Sequence, residues 1–309
     1  MKQATILFAL LLVLGAGCPN ATLTSDFKPT VGASSTPSTE TGNEGPYDRQ
    51  LVTAISYDGF EYLPIEDGWI TDQANVPDLV RTDDGTLYLY YTGWIVGDRL
   101  NETAVAISKD EGVSWSFHYL TFEDAPEGYG SFVDPDVVLL DDGTFRLYFT
   151  SGDWVGSGIY FAESTDGIHF TFLGAAVKPV ESSVLDSTTI HINDTWHMYV
   201  MTSEGVQKIW HLLSDDGITW EITEMTQFVI DGISYMPSNG IWIDGVFYLF
   251  MFNSETGDIR SQSTTDGYNW TVDKEVHIGP LDDGRAMMDA TVIQRTDGSY
   301  LMVYVTTVQ

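Results

Sequence analysis

Ser164-Thr165-Asp166-Gly167-Ile168-His169-Phe170 is one of five copies of a short phrase that decides the fold. The others are Ser56-Tyr57-Asp58-Gly59-Phe60-Glu61-Tyr62, Ser108-Lys109-Asp110-Glu111-Gly112-Val113-Ser114-Trp115, Ser214-Asp215-Asp216-Gly217-Ile218-Thr219-Trp220 and Thr264-Thr265-Asp266-Gly267-Tyr268-Asn269-Trp270. Their aspartates are 52, 56, 50 and 50 residues apart. A period near fifty, with strand-like text between copies, predicts an all-β chain in which each repeat is one four-stranded blade of a propeller. Within the phrase, the short carboxylate accepts hydrogen bonds from nearby backbone N–H groups, glycine takes a positive φ, and the aromatic wedges between blades.

Each repeat has a second half. Val76-Pro77-Asp78-Leu79-Val80-Arg81-Thr82-Asp83-Asp84-Gly85 and Val133-Asp134-Pro135-Asp136-Val137-Val138-Leu139-Leu140-Asp141-Asp142-Gly143 both read as a strand followed by a tight Asp-Gly hairpin and an aromatic-rich strand. Looser copies start at Leu185, Met236 and Met288. The last repeat ends at Gln309 after two strands, whereas the first phrase has a third and fourth strand but no first or second. These halves complete one another, so a five-bladed β-propeller is expected whose N-terminal strands close the last blade.

The ends and the composition bound the setting. Lys2 precedes an apolar run, Ala4–Leu14, too short to span a bilayer, and small residues then lead to Cys18, the sole cysteine. Residues 1–18 resemble a lipoprotein signal with Cys18 as the lipidated residue, which implies a cell-envelope protein facing the extracytoplasmic side, or a secreted one if an ordinary signal peptidase cuts. Residues 19–46 are rich in Ser, Thr, Pro and Gly and read as a flexible tether. Residues 47–309 form the domain. Thirteen basic residues against 45 acidic ones, a formal charge of -32, exclude nucleic acid, anionic membranes and strongly anionic substrates as partners. Membrane contact is expected only through the lipid, and the chain is expected to be a monomer.

In a propeller, first strands line the channel and carry function at its mouth. Alignment on the Asp-Gly hairpin puts Val76, Asp134, Asp186, Pro237 and Asp289 in one ring, and Asp78, Asp136, Thr188, Asn239 and Thr291 in the next. Carboxylates gathered there repel one another and raise at least one pKa, as a glycosidase with one protonated and one ionised carboxyl requires. Capping of strand ends is the alternative role for each, and the leading one for Asp136. Glu204 and Glu181 are further acids in reach of the mouth. Trp69 in the loop entering blade one, Trp94 after its second strand and Trp154 in blade two are candidate stacking surfaces for a sugar. Arg285 enters blade five near Asp289 or a ligand, with pairing to a neighbouring aspartate the default. His191 and His197 show no metal-ligand spacing, so packing is expected of both. No cofactor is required, and Ca²⁺ is a candidate for the channel.

Two resemblances attach to these motifs. The repeated phrases resemble the Asp boxes of sialidases, Ser108–Trp115 most closely, and imply a structural role on the face opposite the mouth; no set of three arginines accompanies them. Five blades with Asp134-Pro135 opening the second resemble glycoside hydrolases of families 43 and 32. That resemblance implies an Asp base or nucleophile in blade one, a tuning Asp in blade two and a Glu acid in blade three. Asp134 matches the second; Val76 occupies the first position, so that Asp78 serves only if the strand is shifted by two residues; Asp186 occupies the third. The expectation is a glycosidase acting on a neutral arabinoside, xyloside or fructoside through Asp78, Asp134, Asp186 and Glu204. Ligand contacts are expected from Trp69, Trp94, Trp154, Asn239, Arg285 and Asp289. The alternatives are a non-catalytic propeller that binds carbohydrate or protein and, less favoured, a sialidase-like hydrolase.

Overall fold

The computed structural model describes residues 48–93, 102–127, 132–152, 157–178, 183–203, 208–273 and 275–308. Every helix or strand among them is a strand. The chain opens with β1 (Arg49–Ser56) and β2 (Leu63–Asp72). Blade one follows as β3 (Ala74–Arg81), β4 (Leu87–Gly93), β5 (Thr103–Ser108) and β6 (Ser116–Tyr119). Blade two is β8 (Val133–Leu139), β9 (Phe145–Ser151), β10 (Gly158–Ser164) and β11 (His169–Val177); the preceding β7 (Thr121–Glu123) adds to its outer edge in parallel. Blade three is β12 (Val184–Ile192), β13 (Thr195–Thr202), β14 (Ile209–Ser214) and β15 (Glu221–Thr226). Blade four is β16 (Phe228–Ile230), β17 (Ile233–Ile243), β18 (Val246–Asn253), β19 (Asp258–Thr264) and β20 (Thr271–Val272). The chain returns to its start in β21 (Met288–Gln294) and β22 (Tyr300–Thr307).

Blade five has the order β2-β1-β22-β21 and is therefore built from both ends of the domain. β1 pairs antiparallel with β22 without interruption from Arg49↔Thr307 to Ser56↔Tyr300. The complementary truncation of the repeats thus produces the expected closed five-bladed ring.

Each repeated turn is a self-contained hydrogen-bond unit. In the fourth blade, Thr264 Oγ1 bonds to Asp266 Oδ1 and accepts from Gly267 N, while Asp266 Oδ1 accepts from the N–H groups of Tyr268 and Asn269 at 2.8 and 2.7 Å. Those donors hold the Asp266 carboxyl below the usual carboxylate range. The same contacts recur around Asp58, Asp166 and Asp216. The turns also bolt neighbouring blades together. Tyr90, Tyr148 and Tyr199, fully buried on the second strands of blades one to three, donate their hydroxyls to the carbonyls of Gly167, Gly217 and Gly267 in the next blade. A side chain on Gly267 would meet the His197 ring at 2.5 Å, so this close approach requires glycine. His197 is buried there, with Nδ1 3.0 Å from His211 Nε2, and His191 stacks on Trp196; both pack.

Candidate functional site

The five inner strands β3, β8, β12, β17 and β21 share one irregularity. Each inner strand carries one extra residue relative to the second strand: between Asn75 and Asp78, Val133 and Asp136, Leu185 and Ser187, Pro237 and Gly240, and Met288 and Thr291. Such a bulge kinks the strand and aims a side chain that a flat ladder would bury. The bulge residues Val76, Asp134, Asp186 and Asp289 have φ of 47°, 54°, 50° and 40°. Aspartate tolerates this left-handed region, whereas β-branched Val76 is strained by about 1–3 kcal/mol. In blade four the extra residue lies at Ser238, one beyond Pro237, but the second ring keeps its place: Phe247 faces Thr264 as Leu87 faces Ser108, and Gly240 faces Leu249 as Leu79 faces Leu89, so Asn239 matches Asp78 and Asp136.

Side chains of the second ring fasten one blade to the next. Thr291 Oγ1 accepts from Leu79 N at 3.0 Å, Asp78 Oδ2 from Val137 N at 2.5 Å, and Asp136 Oδ1 and Oδ2 from Thr189 N and Oγ1 at 3.2 and 2.6 Å. Thr188 Oγ1 donates to Ser238 O at 2.6 Å. The bulges free backbone donors in the channel wall, and these side chains satisfy them. Asn239 Nδ2 crosses to Asp78 Oδ1. β3 shows no two-residue shift: Asp78 faces Tyr90 as Asp136 faces Tyr148. Asp78 is therefore placed with Asp136 among the interblade contacts, and Val76 keeps the blade-one mouth position.

The first ring is organised differently. The backbone N–H groups of Asp134 and Asp186 donate to Thr92 and Thr150 of the preceding blades, at 2.7 and 3.1 Å. Asp186 Oδ1 is buried and lacks a partner. Burial, followed by the charges of Asp134 and Asp289, drives the Asp186 carboxyl well above the usual carboxylate range. Burial and Asp134 push Asp289 up to about 7, against the field of Arg49. Burial raises Asp134 to about 6, opposed by the Thr150 hydroxyl. Three carboxyls from blades two, three and five therefore share fewer than three charges at neutral pH. Asp186 and Asp289, with Val76, Asp78, Asp136 and Asn239, help to line a constriction of about 30 Å³, and Asp134 acts on both through its charge. That is the room of one water.

Arg49 is the residue that sequence reasoning missed. It lies on β1, its Nη1 is 3.0 Å from Met288 Sδ, and it arrives beside Asp289 only because the two chain ends share a blade. Arg285 bonds instead to Asp283 Oδ2 at 2.8 Å and Thr307 O at 2.7 Å. Trp69 is not in a loop: it sits half-buried in β2, opposite Val52, because the outer strand of blade five continues to Asp72. Trp94, Trp154, Glu181, Glu204, Cys18 and the tether lie outside the described residues. Among the described residues no group of three or more His, Cys, Asp or Glu side chains is arranged to hold a metal ion, so the channel calcium finds no ligand set there.

No protein-family model matches the chain, and no curated protein does. Solved structures do. A thermostable family-43 glycoside hydrolase superposes with a TM-score of 0.60 at 18% identity, covering 76% of this chain and 84% of its own. An endo-arabinase from Bacteroides thetaiotaomicron gives 0.54 at 16% identity, over 76% and 93%. An α-L-arabinofuranosidase from Clostridium thermocellum gives 0.54 at 16%, over 76% and 82%. At these identities the likeness establishes a shared five-bladed fold.

Proposed function

We propose that the protein is a glycoside hydrolase-like propeller that cleaves a neutral glycan of arabinoside, xyloside or fructoside type at its channel mouth. The observation that carries this reading is the trio Asp134, Asp186 and Asp289, aimed into one mouth by left-handed bulges on three separate blades. Asp186 is the proton donor: burial and the charges of Asp134 and Asp289 favour its protonated form, and its Oδ1 makes no hydrogen bond that would hold the proton back. Asp134, the more acidic of the two with about 6, is the ionised partner that activates water or stabilises the developing positive charge on the sugar. Asp289, titrating near 7, holds the proton on Asp186 as pH rises. That an endo-arabinase and an α-L-arabinofuranosidase are among the structural neighbours supports the pentose expectation. Lipidation at Cys18 and an extracytoplasmic location complete the proposal, and a mass shift at Cys18 with membrane fractionation tests both.

Turnover of 4-nitrophenyl arabinosides and xylosides and of sucrose is the decisive assay. Activity in the parent that Asp186→Asn abolishes supports the assignment; turnover that survives both Asp186→Asn and Asp134→Asn overturns it. One observation favours the second reading, a glycan binder without turnover: valine stands at the blade-one position where the resemblance implies a base or nucleophile. If the parent binds sugar without cleaving it and Val76→Asp confers turnover, the binder is the native state.

A further inference from the structure

Neighbouring blades meet where the turn glycine of one lies against the second strand of the other, and the side chain waiting there differs from seam to seam. Tyr88 lies against Gly167, Arg146 against Gly217, His197 against Gly267 and Leu301 against Gly112. Leucine and tyrosine are neutral and arginine is charged throughout the range from pH 4 to 8. Arg146 is also matched, by Glu163 Oε1 and Asp216 O. Of these four seams, the one between blades three and four rests on a side chain that changes charge near neutral pH.

His197 is paired there. It is fully buried, its Nδ1 lies 3.0 Å from Nε2 of the buried His211, and its Nε2 has no hydrogen-bond partner among the described residues. Tyr199 stacks on His211 at 4.7 Å, and Tyr268 of the blade-four turn meets His197 edge-on at 4.9 Å. Beyond these tyrosines, Asp266 of the turn and His191 of β12 act on His197, and Glu224 of β15 places Oε1 3.7 Å from His211 Nδ1. Glu224 favours a proton on His211 Nδ1, so His211 Nε2 accepts from His197 Nδ1–H and His197 Nε2 stays bare. A third proton finds no good place on the pair. With one hydrogen between the rings, the extra one sits on His197 Nε2, buried without an acceptor; with two between them, the N–H groups collide. Burial and the charge of His211 accordingly take His197 down to about 4, against the field of Asp266. Burial lowers His211 too, against Glu224.

We propose that His197 and His211 form an acid-released latch: in mildly acidic surroundings the pair gains a proton by letting go of the blade-four turn, so the seam of blades three and four opens while the other seams stay shut. The latch is independent of what the mouth binds. Its sign follows from the pair being neutral when shut. A freed imidazole takes up a proton below its ordinary value of 6.5, whereas buried His197 does so near 4, so the latch loosens as pH falls through that window. Between pH 7 and 5, one freed imidazole raises the opening equilibrium about twentyfold.

Hydrogen exchange of the full chain at pH 7 and pH 5, corrected for the intrinsic rate and followed by mass spectrometry, tests the latch. Peptides covering residues 264–270 should open about twentyfold or more beyond their level at pH 7. Those covering residues 214–220, the turn over Arg146, should not. His197→Asn keeps a donor at the Nδ1 position and His211→Gln keeps an acceptor at the Nε2 position; each should reduce the difference, and the double variant should abolish it. If the variants misfold, the parent decides: by NMR, the His197 ring should hold its chemical shifts down to pH 5. Equal opening of both turns at pH 5, persistence of the difference in the double variant, or a His197 titration centred near 6.5 overturns the proposal.

Discussion

Replacing Asp289 by asparagine should stabilise the protein, and the gain should grow with pH in a defined window. Asparagine has nearly the shape of aspartate and tolerates the same left-handed backbone, so the φ of 40° at this position is not disturbed. What changes is the charge. Burial and Asp134 raise the folded-state pKa to about 7 from an unfolded value of 3.8. Below about pH 4 the carboxyl is neutral in both states and contributes nothing to the difference. Between 4 and 7 the folded protein holds a proton that the unfolded chain has released, so stability falls as pH rises; above 7 the full penalty is present. A shift of about three units corresponds to about 4 kcal/mol. Asp289 is partly exposed at the mouth and the asparagine amide must itself be solvated, so a net gain of about 2 kcal/mol at pH 8 is expected. Urea unfolding of parent and variant at half-unit steps from pH 4 to 8 measures it, urea being preferred because guanidinium salt screens the repulsion. The difference should be near zero at pH 4, climb to pH 7 and level off. A flat difference, or a variant weaker than the parent at pH 8, refutes the claim that the mouth stores carboxylate repulsion.

The interblade bolts give a contrasting result: Tyr148→Phe leaves Gly217 O without its buried donor and should cost about 1–2 kcal/mol at every pH from 5 to 8, read from the urea midpoint. Asp136→Ala strips Thr189 of two acceptors and should cost about 1–3 kcal/mol, with Asp136→Asn recovering part of the loss. Asp266→Ala should lower Tm while leaving ligand binding untouched, and its effect should fade below pH 3.8, where the carboxylate protonates in the unfolded chain and then in the folded one. Deleting residues 47–62 removes the uninterrupted β1–β22 ladder and should abolish cooperative unfolding, followed by circular dichroism.

What was legible in the chain was what neighbouring residues encode. The Thr264 hydroxyl and the Asp266 carboxylate find their turn partners within six residues, Thr264 to Asn269, so the text predicts the local geometry wherever it occurs. Blade count and ring closure follow from counting such text. The ring of Asp134, Asp186 and Asp289 was also readable, because it required only a common offset from a hairpin. The offset holds in blade four as well, where Asn239 takes the place of Asp78, although the extra residue of the bulge there is Ser238.

The division of labour between the two rings was not legible, and the reason is physical. Whether a channel aspartate is structural or reactive depends on whether a backbone N–H faces it, and those donors are remote in sequence. Asp78 meets Val137, 59 residues on, and Thr291 meets Leu79, 212 residues back. A bulge decides the outcome by moving one residue out of the ladder. The residue in the bulge turns into the mouth with its own N–H taken by a threonine of the preceding blade, as at Asp134 and Asp186. The residue two or three positions further on faces the donors of the next blade and is consumed by them. Spacing in a single strand cannot distinguish these two fates, since in blade two Asp134 and Asp136 flank the same proline, Pro135. The same rule explains why Arg49 went unseen: it reaches Met288 and Asp289 only after the two chain ends have joined, so no local pattern could announce it. It follows that a carboxylate in such a channel is a candidate for chemistry when its backbone is left-handed and its oxygens lack amide donors. Asp186 meets both conditions.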